Sequence, residues 1–292
     1  METLNICIAT YRLMAGNGID VSVREFAREL AKDHNVTLAF SDAGLDTGDI
    51  ATLRYRIGPG TLRAAARDLD KKKFDLISTH YPPFDLIASM THIPHYMHEP
   101  GIPPLNTFHG VKDRWFWSKV SASRLLSLRN VRCVLPISGF LGEELRQKYH
   151  YNGPMATLPY GIDFPEDMPA MDVPFGRYIL YVGRHTPYKG VDVLIEIFRE
   201  VQKQVPDARL VTIGNADPGY GERLKALAGG IGGVHIQGYV TDVWPYYKNA
   251  AVYATCSSWE GMDLPAVEAQ FMGKPAVTFD NCSHPEVVVH GK

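Results

Sequence analysis

Residues 257–277 read SSWEGMDLPAVEAQFMGKPAV, and this stretch predicts a loop, a helix and a strand in succession. The helix begins near Leu264 and Pro265, because proline suits a first helical turn in which its missing N–H would have no partner. Gly273 ends the helix before a new apolar run. Asp263 can cap the first turn, and the remaining N–H groups of that turn favour an anion. An apolar strand precedes the loop, so an anion site is predicted where a strand ends and a helix begins.

Two carboxylates frame this predicted site, Glu260 in the loop and Glu268 eight residues later in the helix. The ordered pattern E-G-x-x-L-P-x-x-E-A-x-x-x-G-x-P resembles the E-x7-E signature of the retaining glycosyltransferases of family 4. Members of that family are α/β proteins with two Rossmann-like domains that face a central cleft, the GT-B fold. The resemblance implies that Glu268 accepts hydrogen bonds from the donor ribose and that Glu260 lies against the sugar. It also implies sugar and phosphate contacts from the main chain of Gly261, Met262, Asp263 and Leu264.

Asp263 departs from the family pattern, because many members carry a small residue there. An acid beside a diphosphate is unfavourable, so we expect its side chain to turn away and cap the helix.

A second segment, Gly183–Gly190, reads G-R-x-x-x-x-K-G and resembles another signature of the family. Arg184 offers a planar fork and Lys189 a point charge, and both suit a diphosphate. An isolated pair of this kind is usually a pair of surface charges. Here it follows a predicted strand, which favours a role in the site. The family also places two glycines after the first strand, and Gly16 and Gly18 match them approximately, although a plain turn is the alternative.

Five histidines fall between positions 80 and 109, and their spacing raises the question of a metal. A strand over Pro94–His98 would send alternate residues to opposite faces, and no acid-rich ligand pattern accompanies them, so we predict no metal site. Asp68 and Asp70 match the sequence pattern D-x-D, but they lie in a predicted surface helix and are not predicted to bind a metal. In the family a histidine at the corresponding strand end lies near the donor sugar. His98 is therefore predicted to orient sugar or acceptor, with a structural loop histidine as the alternative.

The totals describe a two-domain globular protein of 292 residues with a formal net charge of -2, which argues against nucleic acid as a partner. We predict a first domain over 1–163, a linker over 164–176 and a second domain over 177–292. The second domain is predicted to be incomplete, because family chains continue with a further strand and helices. No apolar run approaches the roughly 20 residues that span a bilayer, and the start does not resemble a secretory signal. A cytoplasmic protein is therefore expected.

Two basic stretches raise the question of an anionic membrane surface. Lys71–Lys73 ends a helix predicted over Leu62–Lys73, and Val111–Arg132 combines basic and aromatic residues. Such stretches suit a lipid interface. Solvated helix ends and an ordinary surface helix with its aromatic residues packed inward are the alternatives.

The function implied by the resemblance is transfer of a hexosyl group from a nucleotide diphosphate sugar to a glycan, lipid or small-molecule acceptor. Retention of configuration follows from the family, and no cofactor is expected, because positive charges would replace a metal at the leaving diphosphate. The predicted catalytic residues are Glu260, His98, Arg184 and Lys189. Two alternatives remain: a non-catalytic subunit that binds nucleotide sugar, and a glycoside hydrolase that uses Glu260 and Glu268 as its carboxylate pair.

Overall fold

A computed structural model describes residues 2–14, 18–58, 60–107, 110–162, 164–165 and 173–291. The chain forms two compact units, Met1–Asp163 and Phe164–Lys292. In each unit, helices alternate with the strands of a parallel sheet, which is the pattern expected when βα units repeat along a chain.

The first unit is built around a six-stranded parallel sheet in the order β5-β3-β1-β6-β7-β8, beside a small sheet of β2 and β4. Its elements are β1 (Asn5–Ala9), β2 (Arg12–Leu13), α1 (Gly18–Leu30), β3 (Asn35–Phe40), β4 (Asp42–Ala43), β5 (Ala51–Arg54), α2 (Leu62–Asp70), β6 (Leu76–Thr79), α3 (Phe84–Ala88), β7 (His95–Glu99), α4 (Val111–Ser127), β8 (Cys133–Pro136) and α5 (Gly139–Tyr149). The strand order reverses between β1 and β6. This reversal creates a crevice at the carboxyl ends of those strands.

Strand β1 shows how the first sheet forms a core on both faces. Ile6 and Ile8 pack with α1 on one face, whereas Cys7 and Ala9 pack with α2 and α3 on the other. Consecutive side chains of a strand point to opposite faces, so a central parallel strand must be apolar at every position.

The second unit contains a five-stranded parallel sheet in the order β11-β10-β9-β12-β13. Its elements are β9 (Tyr178–Val182), α6 (Val191–Gln204), β10 (Arg209–Ile213), α7 (Pro218–Gly229), β11 (Val234–Gln237), α8 (Trp244–Asn249), β12 (Val252–Ala254), α9 (Leu264–Phe271), β13 (Ala276–Val277) and α10 (His284–Val287). Here the strand order reverses between β9 and β12. The carboxyl ends of these two strands therefore mark the expected ligand crevice of the unit.

Central strand β9 alternates in the same way as β1. Tyr178 and Leu180 pack beneath α8 and α9, whereas Tyr181 joins the cluster formed with α6 and α7. Both units are therefore Rossmann-like.

One expected helix boundary shifts in the structure. Helix α2 ends at Asp70 rather than continuing to Lys73, whose φ of 55° is left-handed. Within the segment predicted as a linker, Phe164 stacks on Phe271 with ring centroids 3.5 Å apart, and Phe175 is buried in the core of the second unit. These two positions thus pack with the second unit, while residues 166–172 lie outside the described part of the chain.

Gly190 lies where only glycine fits. Its φ of 64° is left-handed, and a Cβ atom there would come 2.2 Å from the carbonyl oxygen of Cys256. We expect Gly190→Ala to lower the free energy of unfolding by about 3 kcal/mol, from backbone strain and overpacking together. Urea denaturation followed by tryptophan fluorescence measures this change. Gly229→Ala is the control, because no atom of a neighbouring described residue lies within 4 Å of its Cβ position; equal stability of the two variants would contradict the account.

Candidate functional site

The second unit presents two loops at the reversal of its strand order. One loop follows β9 and runs from Gly183 to Gly190, and the other follows β12 and leads through Glu260 to Asp263. Strands β9 and β12 are hydrogen-bonded neighbours. The two segments predicted from separate sequence motifs are therefore adjacent in space, in the crevice where open α/β sheets bind ligands.

Main-chain contacts join the two loops. The Ser258 N–H donates to the Tyr188 carbonyl over 2.8 Å, and the Ser258 hydroxyl donates to the same oxygen over 3.0 Å. Gly190 brings its backbone against the Cys256 carbonyl, as described above. These contacts set the distance between side chains that the two loops carry.

A buried ion pair connects the loops. The Lys189 Nζ donates to both carboxylate oxygens of Glu260, over 2.6 and 2.7 Å, and the two side chains are 19% and 7% exposed. Burial alone would lower the pKa of Lys189, but the Glu260 carboxylate, with Tyr188 and Asp263, raises it above its ordinary value. Burial raises the pKa of Glu260, and the Lys189 ammonium opposes this shift. The lysine therefore stays charged and fixes the orientation of the carboxylate.

Arg184, the second cation of this loop, lies at the protein surface. Its Nη2 donates to the Tyr188 hydroxyl over 3.1 Å, and its side chain is exposed. The loop after β9 thus carries one buried cation and one exposed cation.

Asp263 caps α9, as its sequence position predicts. Its Oδ1 accepts from the Ala266 N–H at 3.3 Å, and the Tyr253 hydroxyl lies 3.3 Å from the same oxygen. Its Oδ2 lies 3.3 Å from the Nε2 of His284, a residue that sequence reasoning missed. His284 opens the short helix α10, and the apolar run after it gave no sign that its ring would be buried.

Glu260, Asp263 and His284 each offer a ligand atom, and these atoms lie within 4.8 Å of one another. A divalent cation could in principle use such a set. The Lys189 ammonium, however, already binds both oxygens of Glu260. We therefore do not assign a metal site to these residues.

The N-terminal turn of α9 holds the other predicted donor-binding residues. Gly261 is buried, Met262 is partly buried, and the Leu264 N–H donates to the Met262 carbonyl over 3.2 Å. The Leu264 N–H is therefore already engaged within the turn. Glu268 lies in the following turn, where its Oε2 accepts from the Tyr247 hydroxyl over 2.6 Å. Burial raises the pKa of Glu268, an effect that the hydrogen bond from Tyr247 opposes.

In the first unit, His98 lies in β7 near its carboxyl end. Its ring stacks on that of His80 with centroids 4.0 Å apart, and Phe26 contacts both rings edge-on. His98 is 2% exposed, neither ring nitrogen has a hydrogen-bond partner among the described residues, and burial lowers its pKa to about 4. The ring is therefore neutral at physiological pH.

Other predicted residues of the first unit have varied surroundings. Gly18 is the first residue of α1, whereas Gly16 lies outside the described residues. Arg124, one of the basic residues of the stretch Val111–Arg132, is buried against Glu99, with Nε and Oε2 2.8 Å apart. Burial raises the pKa of Glu99 to about 7, although Arg124 opposes the shift. The basic surface of α4 is smaller than the sequence predicts.

Two family models match the chain. The model described as "Glycosyltransferase Family 4" matches residues 16–165, and that described as "Glycosyl transferases group 1" matches residues 176–292. The first match covers 150 of the 292 residues, just over half of the chain.

Curated relatives match over shorter stretches. An uncharacterized glycosyltransferase of Haemophilus influenzae is 35% identical over 110 residues, which cover 37% of this chain and 30% of that protein. The GDP-mannose-dependent alpha-(1-6)-phosphatidylinositol monomannoside mannosyltransferase of Mycolicibacterium smegmatis is 26% identical over 207 residues, which cover 63% of this chain and 54% of that protein. The chain thus spans about a third to a half of the length of these relatives.

Solved structures resemble the chain along nearly all of its length. Anabaena HepE in complex with UDP and glucose has a TM-score of 0.73 at 16% identity, covering 99% of this chain and 84% of that chain. A glycosyltransferase from Rickettsia africae has a TM-score of 0.75 at 15% identity, and the match covers 98% of this chain and 82% of that chain. At such identity the likeness shows the fold, which is GT-B. With a family model matching more than half of its residues, the chain belongs to glycosyltransferase family 4.

Proposed function

We propose that this chain transfers a hexosyl group from a nucleotide diphosphate sugar to a glycan, lipid or small-molecule acceptor, with retention of configuration and without a metal. The observation that carries the proposal is the buried Lys189–Glu260 pair, which lies beside the N-terminus of α9 at the strand reversal of the second unit. A cation, a helix N-terminus and an oriented carboxylate together suit a phosphorylated sugar. The mannosyltransferase named above depends on GDP-mannose, and HepE was solved with UDP and glucose.

The chemistry requires stabilisation of the diphosphate as it leaves the sugar. Lys189 and the exposed Arg184 supply positive charge from the loop after β9, and the dipole of α9 adds a partial positive charge at its N-terminus. These groups supply the charge that a metal supplies in other transferases. Because Lys189 holds both oxygens of Glu260, the carboxylate is oriented before the donor binds, which lowers the cost of organising the sugar.

Glu268 is suited to hold the ribose of the donor. Tyr247 is fully buried and donates to one oxygen of Glu268, and we propose that the other oxygen accepts from a ribose hydroxyl. A carboxylate oriented by a rigid hydroxyl accepts hydrogen bonds with little loss of side-chain entropy. His98 is neutral and has no hydrogen-bond partner within the described part of the chain, and we propose that it orients sugar or acceptor.

The glycoside hydrolase alternative gains no support from this geometry. A hydrolase pair requires one carboxyl group to act as acid and the other as nucleophile or base, whereas Glu260 is held by a lysine at both oxygens. A non-catalytic subunit would bind the donor without turnover. Assays for sugar transfer, and for sugar release in the absence of nucleotide, distinguish the transferase from the hydrolase and from the non-catalytic subunit.

We also propose that α4 contacts an anionic membrane surface from the cytoplasmic side. Trp115 is 63% and Phe116 49% exposed, and Leu126 is 48% exposed eleven residues after Trp115 on the same face. The exposed basic residues nearby are Lys112, Arg114 and Lys119. Exposed aromatic and basic side chains on one helix suit a lipid interface.

Lys71–Lys73, exposed after α2, is a further basic segment of the same unit. No helix within the described residues is long and apolar enough to cross a membrane.

The ribose role of Glu268 is tested by Glu268→Ala. We expect at least a tenfold loss of nucleoside diphosphate affinity, because a charge-assisted hydrogen bond contributes about 1.5–3 kcal/mol. Calorimetric titration with UDP and GDP measures this loss, and a transfer assay should fall in parallel. Glu222→Ala removes an exposed glutamate that pairs with Lys225 and serves as the matched control. Unchanged affinity in a folded Glu268→Ala variant would refute the assignment.

The membrane proposal is tested by cosedimentation with vesicles. Wild-type protein should sediment with vesicles that contain phosphatidylglycerol and remain in solution with phosphatidylcholine alone. Trp115→Ser combined with Phe116→Ser should abolish sedimentation, and raised salt should weaken it. Phe279→Ser, which alters a comparably exposed aromatic residue of the second unit, should have no effect. Equal sedimentation of the wild type and the α4 variant would contradict the proposal.

A further inference from the structure

The segment just before α10 braces the loop that carries Glu260. The side-chain Nδ2 of Asn281 donates to the carbonyl oxygens of Ser257 and Ser258, over 3.3 and 3.4 Å. The buried Ser283 hydroxyl donates to the Glu260 carbonyl over 3.1 Å. Three carbonyl groups of the loop are thus held by side chains from one short segment, which fixes the position of Glu260.

His284 continues this brace with its imidazole ring. The ring is 1% exposed and lies between two oxygen atoms, with Nδ1 2.8 Å from the Asn281 Oδ1 and Nε2 3.3 Å from the Asp263 Oδ2. Asn281 cannot reverse its amide without losing the bonds from Nδ2 to the two carbonyls, so its oxygen faces the ring. A neutral imidazole has a single N–H and satisfies one acceptor, whereas the doubly protonated ring satisfies both.

Asp263, the carboxylate that faces the His284 ring, needs a positively charged neighbour. Asp263 is 2% exposed and caps α9, so its carboxylate lies at the helix end that the donor diphosphate would approach. Its charge already acts on the nearby carboxylate, since Asp263 contributes to the raised pKa of Glu260. Without compensation, the charges of Glu260 and Asp263 would cancel those of Lys189 and Arg184. A site without net positive charge would attract a diphosphate only weakly.

We infer that His284 is a positioning residue of the donor site: its imidazolium balances the charge of Asp263, so that Lys189, Arg184 and the α9 N-terminus keep a net positive potential for the diphosphate. The inference rests on the proposed function. It goes beyond that function by giving Asp263 and His284 a joint role: Asp263 caps the helix, and His284 removes the electrostatic penalty of an acid at that position.

A double-mutant cycle tests the inference. Wild type, His284→Gln, Asp263→Asn and the double variant are titrated by calorimetry with UDP and UMP, or with GDP and GMP where the wild type prefers guanosine. We expect His284→Gln to weaken diphosphate binding at least tenfold and monophosphate binding less, because electrostatic attraction scales with ligand charge. Asp263→Asn added to the His284→Gln variant should restore diphosphate affinity to within about threefold of the wild-type value, since asparagine still caps the helix. Asp263→Asn alone should bind at least as tightly as wild type.

The controls separate this mechanism from a loss of structure. His290→Gln alters an exposed histidine and should bind as the wild type does. Thermal unfolding of each variant shows that it is folded; if His284→Gln fails to fold, the single Asp263→Asn variant carries the test, and weakened binding there would overturn the inference. Equal losses for diphosphate and monophosphate, or no rescue by Asp263→Asn, would also overturn it.

Two further outcomes distinguish competing explanations. Binding of Mn²⁺ alone to the wild type, lost in His284→Gln, would overturn charge balancing in favour of a metal at Glu260, Asp263 and His284. If the wild type binds neither nucleotide, the proposed function fails and this inference fails with it. If the wild type binds and the two substitutions act independently, only the inference fails.

Discussion

The buried ion pair between Lys189 and Glu260 is the constraint on which the second unit depends. Two charges withdrawn from water cost several kcal/mol each, and only close, well-aligned contacts offset that cost. Such contacts require the loop after β9 and the loop after β12 to lie at one fixed separation. The close approach of Gly190 to Cys256 and the bonds from Ser258 to Tyr188 provide that separation.

The same ion pair explains how a rigidly held carboxylate could act on a substrate whose charge distribution changes during the reaction. Glu260 is held by Lys189 from one side, and its carbonyl is held by Ser283 from another. A carboxylate fixed in this way can bind sugar hydroxyls with little further loss of side-chain conformational entropy. In the first unit, the stacked rings of His80 and His98 are neutral, because burial lowers the pKa of each, and they add no charge.

The sequence predicts local features of the site well, because they depend on short-range rules. The proline start of α9, its Asp263 cap and the strand before Gly183 follow from hydrogen bonding within a few residues. The parallel sheets follow from apolar runs that alternate with helical patterns. Family resemblance brought Glu260 and Lys189 into one site, but not into direct contact.

Long-range pairing is what the sequence could not reveal. Lys189 and Glu260 are 71 positions apart, and no local pattern indicates that one holds the other. His284 looks in sequence like any polar residue before a short helix, and its burial depends on Asn281 and Asp263. Arg124 belongs in sequence to a basic and aromatic stretch, and no local pattern indicates that α4 places it against Glu99. Each of these side chains owes its environment to tertiary packing.

The most direct test of the central claim is a calorimetric titration of the purified chain with uridine, guanosine and adenosine diphosphates and their sugars, each with magnesium and with EDTA. A donor site built from Lys189, Arg184 and the α9 N-terminus predicts tight binding of one base, with equal affinity in magnesium and in EDTA. Binding that appears only with magnesium, or none by a folded sample, would contradict that claim.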